Sequence, residues 1–379
     1  MKDLVRQEIV QTAEVIVVKV GTNVLTGENG LLNFDRIQSL SKHLWKLFSD
    51  GRKVILVSSG AVGSGMGQLA LGKRPVEIPE LQALAAIGQG KLMEAYNLAL
   101  ARLNGLAAQV LLTADDLSNR TRYLNTRNAL RAILDYKAMP IINENDTVSV
   151  EELRTTFGDN DRLAGLVANL FESSLLVLLT DVDGLYDGDP ALKSSQMIPL
   201  VSKWSPELMQ MVAEKRSKNS KGGMSSKLKA AQMVTAAGGN VIIANGDNPD
   251  TLPDIFQGKT TGTLFLAQGS RLPAKKRWIG FAGQIRGKIV IDDGAVQALG
   301  KKGKSLLPIG VIEVLGTFNK GDLVSVINQQ DNEIARGLSN YSADDMKLIC
   351  GKKMPEIKAI LGECPYRDVI HCDNLLLLG

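Results

Sequence analysis

The chain contains little of what most hydrolytic and metal-dependent catalytic motifs need. Only two histidines and three cysteines occur among its 379 residues. His43 lies in an amphipathic stretch, IQSLSKHLWKLF, and His371 lies near the C-terminus. Neither accompanies a plausible nucleophile, which argues against triad hydrolysis and against zinc sites with histidine ligands. The chemistry must therefore depend on lysines, carboxylates, backbone amides and Mg²⁺.

Neither the cysteines nor the apolar runs indicate a metal site or a membrane protein. Cys350, Cys364 and Cys372 are odd in number and match no CxxC motif. Cys372 follows His371, yet the pattern favours reduced thiols in a cytosolic protein over a metal site. No apolar run approaches the ~18 residues of a membrane span, and the charged start MKDLVRQEIV is unlike a signal peptide. We expect a soluble, cytoplasmic protein.

Length and charge both indicate two domains. A chain of 379 residues exceeds what one hydrophobic core usually serves. The net charge of +4 comes wholly from the part that begins at Arg271. The sequence therefore predicts a larger domain over residues 1–270 and a smaller one over residues 275–379.

The larger part alternates short, continuously apolar segments with segments of helical period. The predicted strands are 15–20, 54–58, 109–113, 140–143, 175–180 and 241–245. The predicted helices are 34–48, 79–103 (interrupted or kinked around Gly88 and Gly90), 119–134, 161–171 and 225–238. Continuous apolar strands in a βαβα succession indicate a mainly parallel sheet covered by helices on both faces. Such sheets bind ligands at the carboxyl ends of their strands.

The smaller part has a different sequence pattern, with short strands predominating over helices. KIVIDDGA, VIEVLG, DLVSVINQ and EIARGLSNY read as short strands between Gly and Asp turns. Only AVQALGKKG and SADDMKLICG look helical. We expect a small β-rich module of a size that folds alone.

Polar and glycine-rich segments follow the predicted strands of the larger part, where ligands are expected. In chain order they are KVGTN (19–23), SSGA (58–61), END (144–146), GDND (158–161), TDVDGLY (180–186) and KGGMSSK (221–227). Glycines at such turns let backbone amides approach an anion, and a helix start adds its positive dipole end. Lys19 and Lys227 could neutralise a phosphoryl group from two sides as it moves. Asp146, Asp159 and Asp161 could position the lysines, a metal or a substrate amine.

The spacing of the glycines can be compared with two common nucleotide-binding motifs. A Walker A loop is absent, because neither Gly258-Lys-Thr nor Gly303-Lys-Ser has the required preceding glycine. A dinucleotide fingerprint is nearly present as Gly65-x-Gly67-x-x-Ala70, although no acidic residue ends a strand about 20 positions later. A Rossmann dehydrogenase stays open as an alternative.

Taken together, the segments VVKVGTNVLT, VSSGAVGSG, PIINENDTV, FGDNDRLAGLVA, LLTDVDGLY and GGMSSKLKAA resemble the amino-acid kinase family over residues ~14–266. The resemblance implies a three-layer α/β sandwich around a mainly parallel sheet. It also implies phosphorylation of the γ-carboxylate of L-glutamate by ATP and Mg²⁺, the first step of proline biosynthesis. A related kinase of another acid, such as aspartate or N-acetylglutamate, stays open.

The resemblance assigns roles to individual residues. The implied catalytic residues are Lys19, Lys227 and Asp161. The implied glutamate-binding residues are Ser59, Asp146, Asn160 and Asp159. The implied ATP-binding residues are Lys19, Gly21, Thr22, Thr180, Asp181, Lys221, Gly222, Gly223, Met224, Ser225, Ser226 and Lys227. Lys221 departs from the family, which usually has Thr there, and no protein ligand of the metal is assigned.

The smaller part, with KRWI, GKIVIDDGA, SLLPIGV and ARGLSNY, resembles a PUA domain. Such domains are otherwise known from RNA-modifying proteins, and binding to RNA would fit the excess of basic residues. RNA binding therefore stays open as a different class of function. The resemblance of the larger part to the amino-acid kinase family also implies a homo-oligomer, either a dimer or a tetramer, and feedback inhibition by proline.

Overall fold

The computed structural model of the protein describes residues 3–27, 31–149, 159–172, 174–192, 194–206, 208, 223–269, 271–301, 304–362 and 366–378. The chain divides into two compact units. The first comprises Met1–Leu117 with Thr121–Leu272, and the second Ser118–Arg120 with Pro273–Gly379. Within the described residues, no helix combines the length and the apolar character needed to cross a bilayer.

The first unit is organised by a sheet of eight strands in the order β3-β4-β2-β1-β5-β7-β8-β6. Its strands are β1 (Val15–Val20), β2 (Lys53–Val57), β3 (Leu106–Leu112), β4 (Ala138–Glu144), β5 (Ser174–Thr180), β6 (Leu200–Val201), β7 (Asn240–Asn245) and β8 (Thr263–Phe265). All neighbours pair in parallel except β7 and β8, which are antiparallel. The carboxyl ends of the central strands therefore meet at one edge of the sheet.

The helices of the first unit lie on both faces of this sheet. They are α1 (Leu4–Thr12), α2 (Thr22–Leu25), α3 (Phe34–Ser49), α4 (Ala61–Gln68), α5 (Ile78–Ala101), α6 (Ala114–Ser118), α7 (Arg120–Asp135), α8 (Asp159–Ala168), α9 (Gly223–Ala236) and α10 (Thr251–Phe256). Right-handed crossovers that step toward β3 place α3, α4 and α5 on one face, and those that step the other way place α7, α8 and α9 on the opposite face. The predicted α/β sandwich around a mainly parallel sheet is confirmed.

The central strands explain why the sequence reads as continuous apolar runs. Every residue of β1 and of β5 is buried, because helices cover both faces. Lys19 is the one charged residue of β1, and it is only 5% exposed. A lysine in this position needs a partner, since an unpaired buried ammonium group is strongly unfavourable.

The second unit contains a five-stranded sheet in the order β10-β9-β11-β12-β13. Its strands are β9 (Gly287–Ile291), β10 (Val311–Gly316), β11 (Leu323–Ile327), β12 (Glu333–Leu338) and β13 (Leu375–Leu377). Its α-helices are α11 (Ala274–Arg277), α12 (Asp293–Leu299), α13 (Ala343–Ile349) and α14 (Met354–Leu361). The β-rich module is confirmed, but the expectation of only two helices is wrong. Helix α14 was missed although Ile357 packs in the core.

The long helix α5 is continuous from Ile78 to Ala101, so the expected interruption around Gly88 and Gly90 is wrong. Gly88 has a packing role instead. A Cβ there would lie 2.0 Å from the Ala61 carbonyl oxygen and 2.3 Å from the Gly65 amide nitrogen. Helices α4 and α5 therefore touch backbone to backbone, which only glycine permits.

The contact between α4 and α5 also explains one glycine of the Gly65-x-Gly67-x-x-Ala70 pattern. Gly65 lies inside helix α4, and a Cβ there would lie 2.1 Å from the Leu84 carbonyl oxygen of α5. This glycine is accounted for by helix packing.

We expect Gly88→Ala to destabilise the protein by about 3 kcal/mol, because the new methyl group overlaps α4. Gly90→Ala is the matched control, since no atom lies within 4 Å of its Cβ position. The control should stabilise the helix by up to about 1 kcal/mol. Urea denaturation of both variants measures the difference. Equal midpoints would contradict the close contact of α4 with α5.

Candidate active site

The centre of the site is one carboxylate between two ammonium groups. Lys19 lies at the end of β1, Asp161 in the first turn of α8 and Lys227 in the first turns of α9. Lys19 Nζ lies 2.6 Å from Asp161 Oδ1, and Lys227 Nζ lies 3.1 Å from Asp161 Oδ2. Asp161 is fully buried, and the two lysines are 5% and 8% exposed. The cluster thus carries one net positive charge in a site with little access to water.

The electrostatics of the three groups are linked. Burial alone would raise the pKa of Asp161, but the ammonium groups of Lys19 and Lys227 outweigh this effect and lower it below the usual value. Burial lowers the pKa of Lys227, and the charge of Lys19 adds to the shift while Asp161 opposes it. Asp161 therefore stays ionised, and it keeps two cations in place that would otherwise repel each other.

The backbone leaves room beside both lysines. A Cβ on Gly21 would lie 3.6 Å from Lys19 Nζ, and a Cβ on Gly223 would lie 3.9 Å from Lys227 Nζ. A methyl group at either position would lie in ordinary van der Waals contact with the ammonium group. Ser226 tightens the start of α9, since its hydroxyl group donates to Asp161 Oδ2 at 2.7 Å and lies 2.8 Å from the Gly223 carbonyl oxygen.

A second group of polar side chains lies next to this cluster along α8. Asn160, which directly precedes Asp161, is 2% exposed. Its Nδ2 donates to Ser59 Oγ at 2.9 Å, to the Ser58 carbonyl oxygen at 3.2 Å and to Asn143 Oδ1 at 3.3 Å. The ends of β2 and β4 and the start of α8 meet at this amide. One helix start therefore supplies a residue to each group.

Asp146 belongs to the loop that follows β4, and it is 7% exposed. Within the described residues, its Oδ1 has no hydrogen-bond partner. Burial raises the pKa of Asp146 to about 6, while the charge of Arg74 acts in the opposite direction. A buried carboxylate oxygen without a partner is costly, and a cationic ligand would satisfy it.

The loops after β1 and β5 are tied together at the same edge of the sheet. Asp181 accepts hydrogen bonds from Asn23 Nδ2 at 3.1 Å and from Thr180 Oγ1 at 3.0 Å. Burial alone would raise the pKa of Asp181, but these hydrogen bonds outweigh that effect and lower the pKa below its usual value. The neighbouring Thr22 begins α2 beside Gly21.

The structure brings together most of the residues singled out in the sequence. Lys19, Asp161, Ser226 and Lys227 form one cluster, and Ser59 contacts Asn160. Met224 and Ser225 lie in the first turn of α9. Lys221, Gly222 and the side chain of Asp159 lie outside the described residues.

Two residues of the site carry no role predicted from the sequence, although Asn23 lies in the candidate segment 19–23. Asn143 contacts Asn160, and Asn23 contacts Asp181. Each is a polar residue at or just after the end of a buried strand, so position relative to a strand end was the available signal. The thiols of Cys350 and Cys372 are free, and Cys364 lies outside the described part of the chain.

Comparisons with known proteins agree with this geometry. Residues 14–245 match the model of the amino acid kinase family, and residues 287–361 match that of the PUA domain. The chain is 45% identical to a glutamate 5-kinase of Rhodopirellula baltica over 98% of this chain and 96% of that protein. It is 46% identical to a glutamate 5-kinase of Thermoanaerobacter sp. (96% and 97% covered) and 44% identical to one of Geobacter sulfurreducens (98% and 100% covered).

Proposed function

Since the chain belongs to the amino acid kinase family, we propose that it transfers the γ-phosphoryl group of ATP to the side-chain carboxylate of L-glutamate. The products are γ-glutamyl 5-phosphate and ADP, in the first step of proline biosynthesis. The observation that carries the proposal is the buried pair of lysines held by Asp161. The relatives named above, similar along nearly their whole length, support glutamate as the acceptor.

The reaction needs little acid–base chemistry. The side-chain carboxyl group of glutamate has a reference pKa of about 4.3, so it reaches the site ionised and needs no general base. One carboxylate oxygen attacks the γ-phosphorus, and the bond to the β–γ bridging oxygen breaks. Charge on the transferred group is stabilised by Lys19 and Lys227, whose arrangement Asp161 maintains. The scarcity of histidine agrees with this mechanism.

The remaining residues divide between the two substrates. We assign the nucleotide to Gly21, Thr22, Thr180, Asp181 and residues 221–227. Gly21 and Thr22 lie at the start of α2, Thr180 and Asp181 at the end of β5, and residues 223–227 at the start of α9. We assign glutamate to Ser59, Asp146, Asn160 and Asp159. Asp146 would bind the α-ammonium group, because its buried oxygen lacks a partner among the described residues.

ATP-dependent kinases use Mg²⁺, which would offset the negative charge of the ATP phosphates at this site. Two carboxylates nearest the lysines are already engaged, Asp161 by Lys19 and Lys227 and Asp181 by Asn23 and Thr180. We propose that nucleotide and water supply most ligands of the metal. Loss of activity with EDTA and its return with excess Mg²⁺ would test the requirement.

Three further properties belong to the proposal and have separate tests. Inhibition by proline is measured by adding proline to the kinase assay, and a dimer or tetramer is measured by analytical ultracentrifugation. Cytoplasmic location is measured by cell fractionation. An uninhibited enzyme, a monomer or a membrane-associated protein would each remove one of these properties without affecting the reaction.

A second candidate function is RNA binding by the second unit. A cavity of about 220 Å³ is lined by Lys352, Lys353 and Arg367 together with apolar residues such as Ile309. A positively charged groove suits the phosphate backbone of single-stranded nucleic acid. Filter retention of labelled RNA tests this function, and retention that is unchanged in Lys352→Glu with Lys353→Glu would argue against this surface.

The proposed reaction predicts glutamate-dependent hydroxamate in a trapping assay. Hydroxylamine added with ATP, Mg²⁺ and L-glutamate converts an acyl phosphate into a coloured hydroxamate. We expect product with glutamate and none with aspartate or N-acetylglutamate. Product from another acid alone would change the acceptor. If a protein shown to be folded forms no product from any acid, the result would contradict the kinase reaction and favour RNA binding as the function.

The raised pKa of Asp146 predicts a pH-dependent affinity for glutamate. Asp146 is ionised above about pH 6 and protonated below it, and only the ionised form attracts the α-ammonium group. We therefore expect kcat/KM for glutamate to fall about tenfold from pH 7 to pH 5. In Asp146→Asn, kcat/KM should be low throughout and lack this step. A step of equal size in the variant would exclude Asp146 as its origin.

A further inference from the structure

Two glutamines of helix α5 face the polar residues of the proposed glutamate site. Gln82 and Gln89 are seven residues apart, so they lie two turns apart on one side of the helix. Both reach the segment at the end of β4, which carries Asn143 and Asp146. None of the sequence patterns that indicate phosphoryl transfer includes them.

Gln89 acts on Asn160 through one intervening residue. Gln89 Oε1 accepts a hydrogen bond from Asn143 Nδ2 at 2.8 Å, and Asn143 Oδ1 accepts from Asn160 Nδ2 at 3.3 Å. The backbone amide of Glu144 also donates to Asn143 Oδ1, at 3.0 Å. Because a donor occupies one end of the Asn143 amide and an acceptor the other, its orientation is fixed. Together with the hydrogen bonds that Asn160 Nδ2 donates to Ser59 Oγ and to the Ser58 carbonyl oxygen, it orients the Asn160 amide.

Gln82 acts on the backbone of the neighbouring loop. Its Nε2 donates to the carbonyl oxygens of Asp146 and Thr147, at 3.1 and 3.3 Å. These contacts hold the chain at the residue whose buried carboxylate oxygen lacks a partner among the described residues. The loop is thus attached to helix α5 in addition to the hydrogen bonds of its own turn at Asn145.

The helix that carries both glutamines is itself fixed in place. Gly88, the residue before Gln89, touches the backbone of α4 at Ala61 and Gly65. Helix α4 begins directly after Ser59 and Gly60. The contact between α4 and α5 therefore sets the distance between the two glutamines and Ser59 at the end of β2. Ser59 and the glutamines are thus positioned by one pair of closely packed helices.

We propose that Gln82 and Gln89 are positioning residues of the acceptor site: Gln89 orients Asn160 through Asn143, and Gln82 holds the loop of Asp146. The inference rests on the proposed function, in which Asn160 and Asp146 bind glutamate. Neither glutamine touches the lysine cluster, so their loss should weaken glutamate binding and leave the phosphoryl transfer step intact.

The test compares steady-state kinetics of Gln89→Leu and Gln82→Leu with the wild type. Each variant loses hydrogen bonds to groups of the acceptor site, so we expect the KM for glutamate to rise about tenfold. The KM for ATP and kcat at saturating glutamate should stay within about twofold. Gln11→Leu is the matched control, because Gln11 is an exposed glutamine of helix α1, and its kinetics should equal those of the wild type.

A double variant separates positioning from general weakening of the fold. If Gln89 acts through Asn143, adding Gln89→Leu to Asn143→Ala should change the KM for glutamate by less than about twofold. An independent tenfold effect would overturn the relay. A lower kcat with both KM values unchanged would indicate loss of folded enzyme and overturn the inference. If Gln89→Leu does not fold, the similarly shaped Gln89→Met replaces it under the same criteria.

The wild-type assay keeps the two proposals apart. Wild-type protein that forms no hydroxamate from glutamate contradicts the proposed function. Wild-type activity with an unchanged KM for glutamate in both leucine variants contradicts only the positioning role.

Discussion

The pairing of Asp161 with two lysines is the interaction on which the rest of the site depends. Each carboxylate oxygen of Asp161 lies against a different ammonium group, and all three side chains are buried. Burying an ammonium group costs several kcal/mol unless it is paired, so neither lysine could occupy its place alone. The arrangement leaves one positive charge in excess, which suits an incoming polyphosphate. The folded protein therefore maintains before the reaction the charge that a moving phosphoryl group requires.

The start of helix α8 connects this charge to the acceptor site. Asn160 and Asp161 are consecutive, so the residue that contacts Ser59 and the residue that holds the lysines share one turn of α8. The carboxyl ends of β1, β2 and β4 converge here because the strands are parallel and neighbouring. On the opposite face of the sheet, the close contact of α4 with α5 brings Gln89 to Asn143. The acceptor site is thus supported from both layers of helices.

Much of this could be predicted from the sequence, and the exceptions have physical reasons. The central buried strands of the first unit were recognisable because each is a short apolar run. Lys19 was recognisable as the charged residue near the end of such a run, and Asp161 as the start of the helical segment 161–171. The continuity of α5 was not, because glycine lowers helix propensity and only the tertiary contact explains Gly88. The relay from Gln89 depends on where two helices cross, which no local pattern records. Strand β8, three residues long and antiparallel to β7, gave too short a signal.

The most direct test of this account is the effect of Lys227→Ala on kcat and on the KM for glutamate. Lys229→Ala is the matched control, since Lys229 lies on the same helix and is exposed. If Lys227 stabilises charge on the moving phosphoryl group, its loss should lower kcat at least about a hundredfold, with the KM for glutamate changed by less than about threefold. The control should behave as the wild type. A kcat for Lys227→Ala equal to that of the control, or a loss confined to the KM, would contradict the central role of the lysine pair.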